Sequence, residues 1–208
     1  MIVIGIDEAG RGSLVGPMVV AGVAVDDTKL QALKNAGVKD SKQLTRSRRE
    51  KLINTIASLV EGFVVVKVFP EDIDRENLNE LTYEAMIKII NALSVFKPSK
   101  ITVDKVGNAI EVEEEIIRVG SEPNVVTNAD VNFVEASAAS IIAKVVRDNI
   151  IDELKTKYGD FGSGYPADPR TVNWIEKLYE SNSSPPPIIR RTWKILQSIA
   201  PNYYIRKW

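Results

Sequence analysis

Met1-Ile-Val-Ile-Gly-Ile-Asp-Glu-Ala-Gly-Arg-Gly-Ser13 opens the chain, and five of its first six residues are apolar, Gly5 being the exception. A short apolar run closed by a turn signal reads as a strand buried on both faces, as inside an α/β sheet. The run ends in two adjacent acids, Asp7 and Glu8. Carboxylates at the mouth of a buried strand are costly unless something positive meets them, which makes the pair a candidate metal site. In Gly10-Arg11-Gly12, two glycines permit a backbone conformation, or a close approach to a ligand, that a side chain would block.

Reading outward, Leu14 to Val25 is a second apolar stretch interrupted by Gly16-Pro17, and it predicts a strand paired with the first as a hairpin or meander. A short helix follows at Lys29–Ala36, then a polar loop from Lys39 to Thr45. The next helix begins at about Thr45 or Ser47, where Ser47 and Glu50 fit a capping box, and Gly62 stops it. Phe63–Phe69 reads as a strand ended by Pro70, and Asn77 begins a helix that Lys97-Pro98-Ser99 terminates. Lys100–Asp104 repeats the opening theme, a β-branched strand running into an acid. Glu111–Val119 reads as a helix, Val125–Thr127 as a short strand, and Phe133–Tyr158 as the longest helix, closed by Gly159. Beyond Asp160 the character changes: a Gly162–Pro166 loop, a helix from Asp168-Pro169 through Tyr179, a Pro-rich linker to Pro187, and a last helix over 188–199. Alternating strands and helices after an initial strand pair indicate an α/β fold with a mixed sheet. Residues 1–160 are expected to form the core domain and 161–208 a small C-terminal helical appendage.

With 208 residues the chain can bury a full core. No apolar run reaches membrane-spanning length and the start shows no signal-peptide pattern, so a cytoplasmic location is expected. Cysteine and histidine are both absent, which removes disulfides, thiolate zinc sites, cysteine nucleophiles and the usual general base. An oxygen-only ligand set favours hard cations such as Mg²⁺ or Mn²⁺. The net charge of −1 conceals clusters, with basic residues at 39–51, at Lys144 and Arg147, and at 190–207.

Three strand ends or near-ends carry acids: Asp7 with Glu8, Asp104, and Asp130. In open α/β sheets ligands gather outside the carboxyl ends of strands. Four converging carboxylates would repel one another, and two divalent cations about 4 Å apart would relieve that while activating a water for phosphoryl chemistry. Asp130 has a second reading, as a cap of the long helix. Lys144 and Arg147 lie three apart on one helix face and are expected in solvent unless that face meets a phosphate. Tyr165, between Gly164 and Pro166, is either a packing aromatic or a platform for a sugar or base.

Asp7-Glu-Ala-Gly-Arg-Gly12, Asp40-Ser-Lys-Gln-Leu44, Asp104, Asp130, Ala138-Ala-Ser-Ile-Ile-Ala-Lys-Val-Val-Arg-Asp148 and Gly162-Ser-Gly-Tyr-Pro166 occur in order. Together they closely resemble the type 2 ribonucleases H, ribonuclease HII, from residue 2 to about 172, and Arg190-Arg-Thr-Trp193 resembles archaeal members. The resemblance implies a ribonuclease H-like sheet flanked by helices with a helical C-terminal substrate-binding part. It implies cleavage of the RNA strand in RNA/DNA hybrids, and incision 5′ of single ribonucleotides in duplex DNA leaving 3′-hydroxyl and 5′-phosphate. It implies that Asp7, Glu8, Asp104 and Asp130 are the metal-binding catalytic acids and that Gly10, Arg11 and Gly12 sense the ribose 2′-OH. By the same resemblance Tyr165 stacks on the sugar at the junction, and Ser41, Lys42 and Lys144 contact the substrate backbone. Gln43 and Ala167 depart from the family pattern, at contact positions only.

A sugar-kinase or actin-like ATPase opens similarly but needs two duplicated domains, and no internal repeat is visible. A non-catalytic binding module would have no use for four acids beside a phosphate backbone. Another nuclease or integrase of the same fold is disfavoured by Gly10-Arg-Gly12 together with Gly164-Tyr-Pro166. Gln197–Tyr204 resembles a sliding-clamp-binding peptide, with Ala200 where a larger aliphatic is usual; the alternative is that Tyr203 and Tyr204 fold back on the core. A monomer is expected.

Overall fold

A computed structural model describes residues 1–39 and 43–207. Its sheet has the order β3-β2-β1-β4-β5, built from β1 (Ile2–Ala9), β2 (Met18–Asp26), β3 (Gly62–Val68), β4 (Lys100–Asp104) and β5 (Glu122–Val126). β1 pairs antiparallel with β2 from Ile2↔Asp26 to Ala9↔Val19 and parallel with β4 from Val3↔Lys100 to Ile6↔Val103. β4 pairs parallel with β5. The expected mixed α/β sheet is therefore present, with the opening strand at its centre.

Central position explains the composition of β1. Ile4 and Ile6, two residues apart and so on one face of the strand, are both fully buried, each burial worth about 1.5–3 kcal/mol over exposure. Gly5 has a specific reason: a Cβ there would lie 2.1 Å from the Glu135 carbonyl carbon, so the start of helix α7 (Val134–Tyr158) rests directly on the strand. Gly22 plays the same part for α4 (Leu78–Leu93), where a Cβ would lie 2.3 Å from Ile89 Cγ2. Gly22 pairs with Ile6 and so shares its face, whereas Gly5 points the other way. α4 and the first half of α7 thus cover opposite faces, and Asp7, two residues beyond Gly5, lies under α7.

The chain divides into two compact units. The first comprises Met1–Ala9, Val19–Lys67 and Asn79–Val146. It contains the sheet, α1 (Leu30–Ala36), α2 (Arg46–Leu59), α5 (Ile110–Arg118) and α6 (Ala129–Asn132). The second comprises Gly10–Met18, Val68–Leu78 and Arg147–Trp208. It contains α3 (Pro70–Arg75), α8 (Pro169–Glu180) and α9 (Leu196–Ile199), and its core gathers Leu14, Val15, Ile151, Phe161, Ile175, Ile189 and Leu196.

Several sequence expectations are corrected. β1 runs through Asp7 and Glu8 to Ala9, because the antiparallel ladder with β2 continues past the acids. β2 begins at Met18, since Leu14 to Gly16 bond to Gly164 and Ile188 instead of to β1. Thr45, rather than Ser47, caps α2, its hydroxyl accepting from the Arg48 N–H at 3.3 Å. Pro70 starts helix α3, as a residue lacking N–H can at a helix N-terminus. The expected helix over 188–199 shrinks to Leu196–Ile199. Ile189 forms a bridge with Val15, and Arg190 N–H donates to Leu14 O at 2.9 Å, so tertiary pairing consumes the backbone a helix would use. Among the described residues no helix is long and apolar enough to cross a membrane.

Candidate active site

The register of β1 and β4 sets the site. Ile6 pairs with Val103, so Asp7 and Asp104 follow as neighbours just past the last pair of the parallel ladder, Asp104 ending β4 and Asp7 two residues before the end of β1. Carboxylate oxygens of Asp7, Glu8 and Asp104 all lie within 4.8 Å of one another. Strand alternation alone would send Glu8 to the opposite face, yet its carboxylate joins the group. Asp7 is buried, and this desolvation is the main cause that pushes its carboxyl up to about 6, with the charge of Asp104 adding to it. The Ser140 hydroxyl, the Glu8 N–H at 2.8 Å and the charge of Lys144 pull the other way.

Asp104 also accepts from the Ala129 N–H at 2.7 Å, which ties the start of α6 to the end of β4. Asp130 is the next residue and is 1 % exposed. It sits in this separate single-turn helix, ahead of α7, and Asn128 occupies the cap position. It stands outside the three-acid group and lines a cavity of about 160 Å³ with Lys34, Lys39 and Ser137.

Lys144 donates to Ser140 Oγ at 2.9 Å, one helical turn away. Ser140 in turn hydrogen-bonds Asp7, so a lysine, a hydroxyl and a carboxylate form a line on the α7 face over β1. The sequence reading did not single out Ser140. Its signal was the four-residue spacing to Lys144, which places both on one helix face.

Gly10, Arg11, Gly12 and Tyr165 belong to the second unit. Gly10 has φ +79°, and a Cβ there would lie 2.2 Å from Arg147 Nε. Its glycine therefore has an internal reason. Gly12 does not: its φ is unexceptional and a Cβ would meet nothing within 4 Å among the described residues. Arg11 Nη1 donates to Leu78 O at 3.3 Å. Tyr165 is 37 % exposed, and the Arg147 guanidinium lies 4.9 Å from its ring centre.

Arg147 was expected in solvent and is buried instead, donating to Ser13 Oγ at 2.6 Å and Val15 O at 3.3 Å. Carbonyl and hydroxyl acceptors substitute for water around its charge, although burial still lowers its affinity for the proton. Arg190, also missed as a site residue, is 0 % exposed and donates to Gly10 O at 2.6 Å, Arg11 O at 2.8 Å and Gly16 O at 3.0 Å. Ser41 and Lys42 lie outside the described residues.

The family model described as Ribonuclease HII matches residues 4–196. The chain belongs to the ribonuclease HII family. It is 73 % identical over 208 residues to the Ribonuclease HII of Sulfurisphaera tokodaii, covering 100 % of both chains. It is 46 % identical to that of Pyrococcus abyssi, covering 96 % of this chain and 91 % of the relative. The crystal structure of ribonuclease H2 from Pyrococcus horikoshii OT3 superposes with a TM-score of 0.88 at 41 % identity, over 98 % and 99 % of the two chains. The structure of a PCNA:RNase HII complex from Archaeoglobus fulgidus gives 0.84 at 38 % identity, over 95 % and 96 %.

Ribonuclease HII is an endonuclease that hydrolyses the RNA strand of RNA/DNA hybrids, and it depends on divalent metal. The first unit fits that requirement. Three carboxylates offer oxygen ligands within 4.8 Å, and the repulsion felt by Asp7 is of the kind a hard cation relieves.

Proposed function

We propose that this ribonuclease HII also incises duplex DNA on the 5′ side of single embedded ribonucleotides, leaving a 3′-hydroxyl and a 5′-phosphate. Asp7, Glu8, Asp104 and Asp130 hold two divalent ions, Mg²⁺ or Mn²⁺. When bound, such a pair activates water and neutralises charge building on the leaving oxygen. The protein's own part is to preorganise the carboxylates. Glu8 N–H and the Ser140 hydroxyl orient Asp7, and Ala129 N–H orients Asp104. That last bond ties the turn bearing Asp130 to the strand bearing Asp104, which supports assigning Asp130 as the fourth acid.

Gly10, Arg11 and Gly12 recognise the ribose 2′-hydroxyl, the group that separates RNA from DNA at a given site. Gly12 carries this reading. An exposed glycine with ordinary φ and open space where its Cβ would be has no internal reason to be glycine, so the reason lies with what approaches it. Tyr165, half-open and backed by Arg147, stacks on the sugar at the junction. Residues 161–208 act as the substrate-binding appendage, and Ser41, Lys42 and Lys144 contact the phosphate backbone without reading its identity. The protein works in the cytoplasm.

The testing experiment is cleavage of duplex DNA carrying one ribonucleotide, beside an all-DNA duplex and a hybrid, in Mg²⁺ and in EDTA. A metal-dependent cut 5′ of the ribonucleotide with the all-DNA duplex intact is expected. Cleavage of the hybrid alone would refute the role given to Gly10–Gly12 and Tyr165.

A second reading concerns Gln197–Tyr204, which we assign as a sliding-clamp contact on the strength of the Archaeoglobus fulgidus complex. Tyr203 is buried here, donates to Ser183 O at 2.5 Å and packs edge-on against Tyr179. Clamp binding through Tyr203 therefore requires this segment to detach. Gel filtration with the clamp, using the full chain and one truncated after Gln197, tests it; unchanged elution of both would refute it.

A further inference from the structure

Arg190 is a fully buried guanidinium that, among the described residues, is met by backbone carbonyls in place of a carboxylate. Its Nη2, Nη1 and Nε donate to the carbonyls of Gly10, Arg11 and Gly16 at 2.6, 2.8 and 3.0 Å. The Trp193 indole N–H donates to the next carbonyl, that of Gly12, at 3.4 Å, and the Arg190 guanidinium lies 5.1 Å from the Trp193 ring centre. Residues 190–193 thus take up the carbonyls of all three residues in the Gly10–Gly12 turn.

Peptide geometry turns this into a statement about donors. In a trans peptide the N–H of one residue points opposite to the carbonyl of the residue before it, and no cis bond occurs among the described residues. Drawing the Gly10 and Arg11 carbonyls toward Arg190 therefore sends the N–H groups of Arg11 and Gly12 away from it. Gly12 N–H makes no hydrogen bond to another described residue, and Gly12 is exposed with open space at its Cα. A cation behind the two carbonyls also polarises those peptide units, so the outward N–H becomes a stronger donor. Burial, and then the like charge of Arg147, lower the Arg190 guanidinium to about 9, which still leaves it charged at neutral pH.

We propose that Arg190 is a positioning residue for ribose recognition: by fixing the Gly10, Arg11 and Gly16 carbonyls it presents the Gly12 N–H to the ribose 2′-oxygen, with Trp193 completing the hold. This rests on the reading that the Gly10–Gly12 turn recognises the ribonucleotide. Lysine at 190 would keep the charge but lose the planar fork that spans several carbonyls at once.

The test uses the full chain with Arg190→Lys, Trp193→Phe and Gly12→Ala. The measurements are kcat and KM on duplex DNA containing one ribonucleotide, and Kd for the all-DNA duplex, each well below the variant's melting temperature. Arg190→Lys is expected to lower kcat about 10- to 30-fold, less than the roughly 100- to 1,000-fold lost when an oriented donor is deleted outright, because here the donor stays and only its hold loosens. Its KM and all-DNA Kd should stay within about twofold, because phosphate contacts are untouched. Trp193→Phe is expected to lower kcat about threefold in the same pattern.

If Gly12→Ala loses kcat while Arg190→Lys keeps it within about twofold, the positioning role is overturned and the loop reading survives. If Gly12→Ala keeps kcat, the loop reading fails and takes this inference with it. A general loosening would raise KM and the all-DNA Kd together with kcat unchanged, and that result also overturns the proposal. Should Arg190→Lys not fold, Trp193→Phe decides, and an unchanged kcat there refutes the hold on the turn.

Discussion

Asp7→Asn should make the metal-free protein more stable at neutral pH. The Asp7 carboxyl stands at about 6 against an ordinary value of 3.8, a rise of about two units caused mainly by burial and then by Asp104. This is the reverse of a salt-bridged aspartate. Between those two values the folded state holds a proton that the unfolded chain has released, so stability falls as pH rises from about 4 to about 6 and stays low above. At about 1.4 kcal/mol per unit the cost at pH 7.5 is about 3 kcal/mol. Asparagine removes the charge and keeps an acceptor for the Glu8 N–H, while the bond from Ser140 weakens at a cost of about 1 kcal/mol. The net gain is about 2 kcal/mol. Urea unfolding in EDTA at several pH values measures it, and the gap should close as pH approaches 4. On the proposed assignment of Asp7 as a metal ligand, added Mg²⁺ should reverse the ranking, because the asparagine variant would bind it less well. Equal stability of the two proteins at pH 7.5 in EDTA, or a gap that persists unchanged at pH 4, would refute the reasoning.

The two glycines of the turn should separate cleanly by melting temperature and activity. Gly10→Ala, at φ +79° and against Arg147, is expected to cost about 2 kcal/mol, whereas Gly12→Ala should melt like the parent yet lose single-ribonucleotide cleavage. Gly5→Ala drives a methyl into the start of α7 and should destabilise by about 3 kcal/mol, seen as a shifted urea midpoint. Asp168 caps α8 and accepts from Ser163 and Arg170, and the Arg170 guanidinium first, then the Ser163 N–H, hold its carboxyl well below the usual range. Its contribution is therefore complete above pH 4 and lost as pH falls further, so the melting-temperature gap between the parent and Asp168→Ala should narrow from pH 6 to pH 2.5.

What was legible in the sequence follows from periodicity. The apolar opening strand, the β-branched Lys100–Asp104 and the alternation of elements read directly as a mixed α/β sheet, and the acids at strand ends read as a site. The buried arginines were not legible, because a lone charged residue in a helix or a Pro-rich tail usually lies in solvent. Arg147 and Arg190 are paid in long-range carbonyls, from residues more than 130 positions away, and no local pattern encodes that. The last helix was overestimated for the same reason: at Ile189 and Arg190 pairing with Leu14 and Val15 outweighs helical propensity. Ser140 was hidden in an Ala-rich face that reads as packing until Asp7 is placed beneath it.

The anchorage of the Gly10–Gly12 turn has a bearing on how this protein tolerates change. Every acceptor that Arg190 uses among the described residues is a main-chain oxygen. Such acceptors are supplied by any amino acid, and no acid has to stay ionised to provide them. Substitution at position 11 leaves all three in place, and acidification removes none. Apart from Gly10, whose positive φ and close approach to Arg147 admit no side chain, the arrangement is exposed to mutation at the donor's end, so change at position 11 leaves intact how the turn is held.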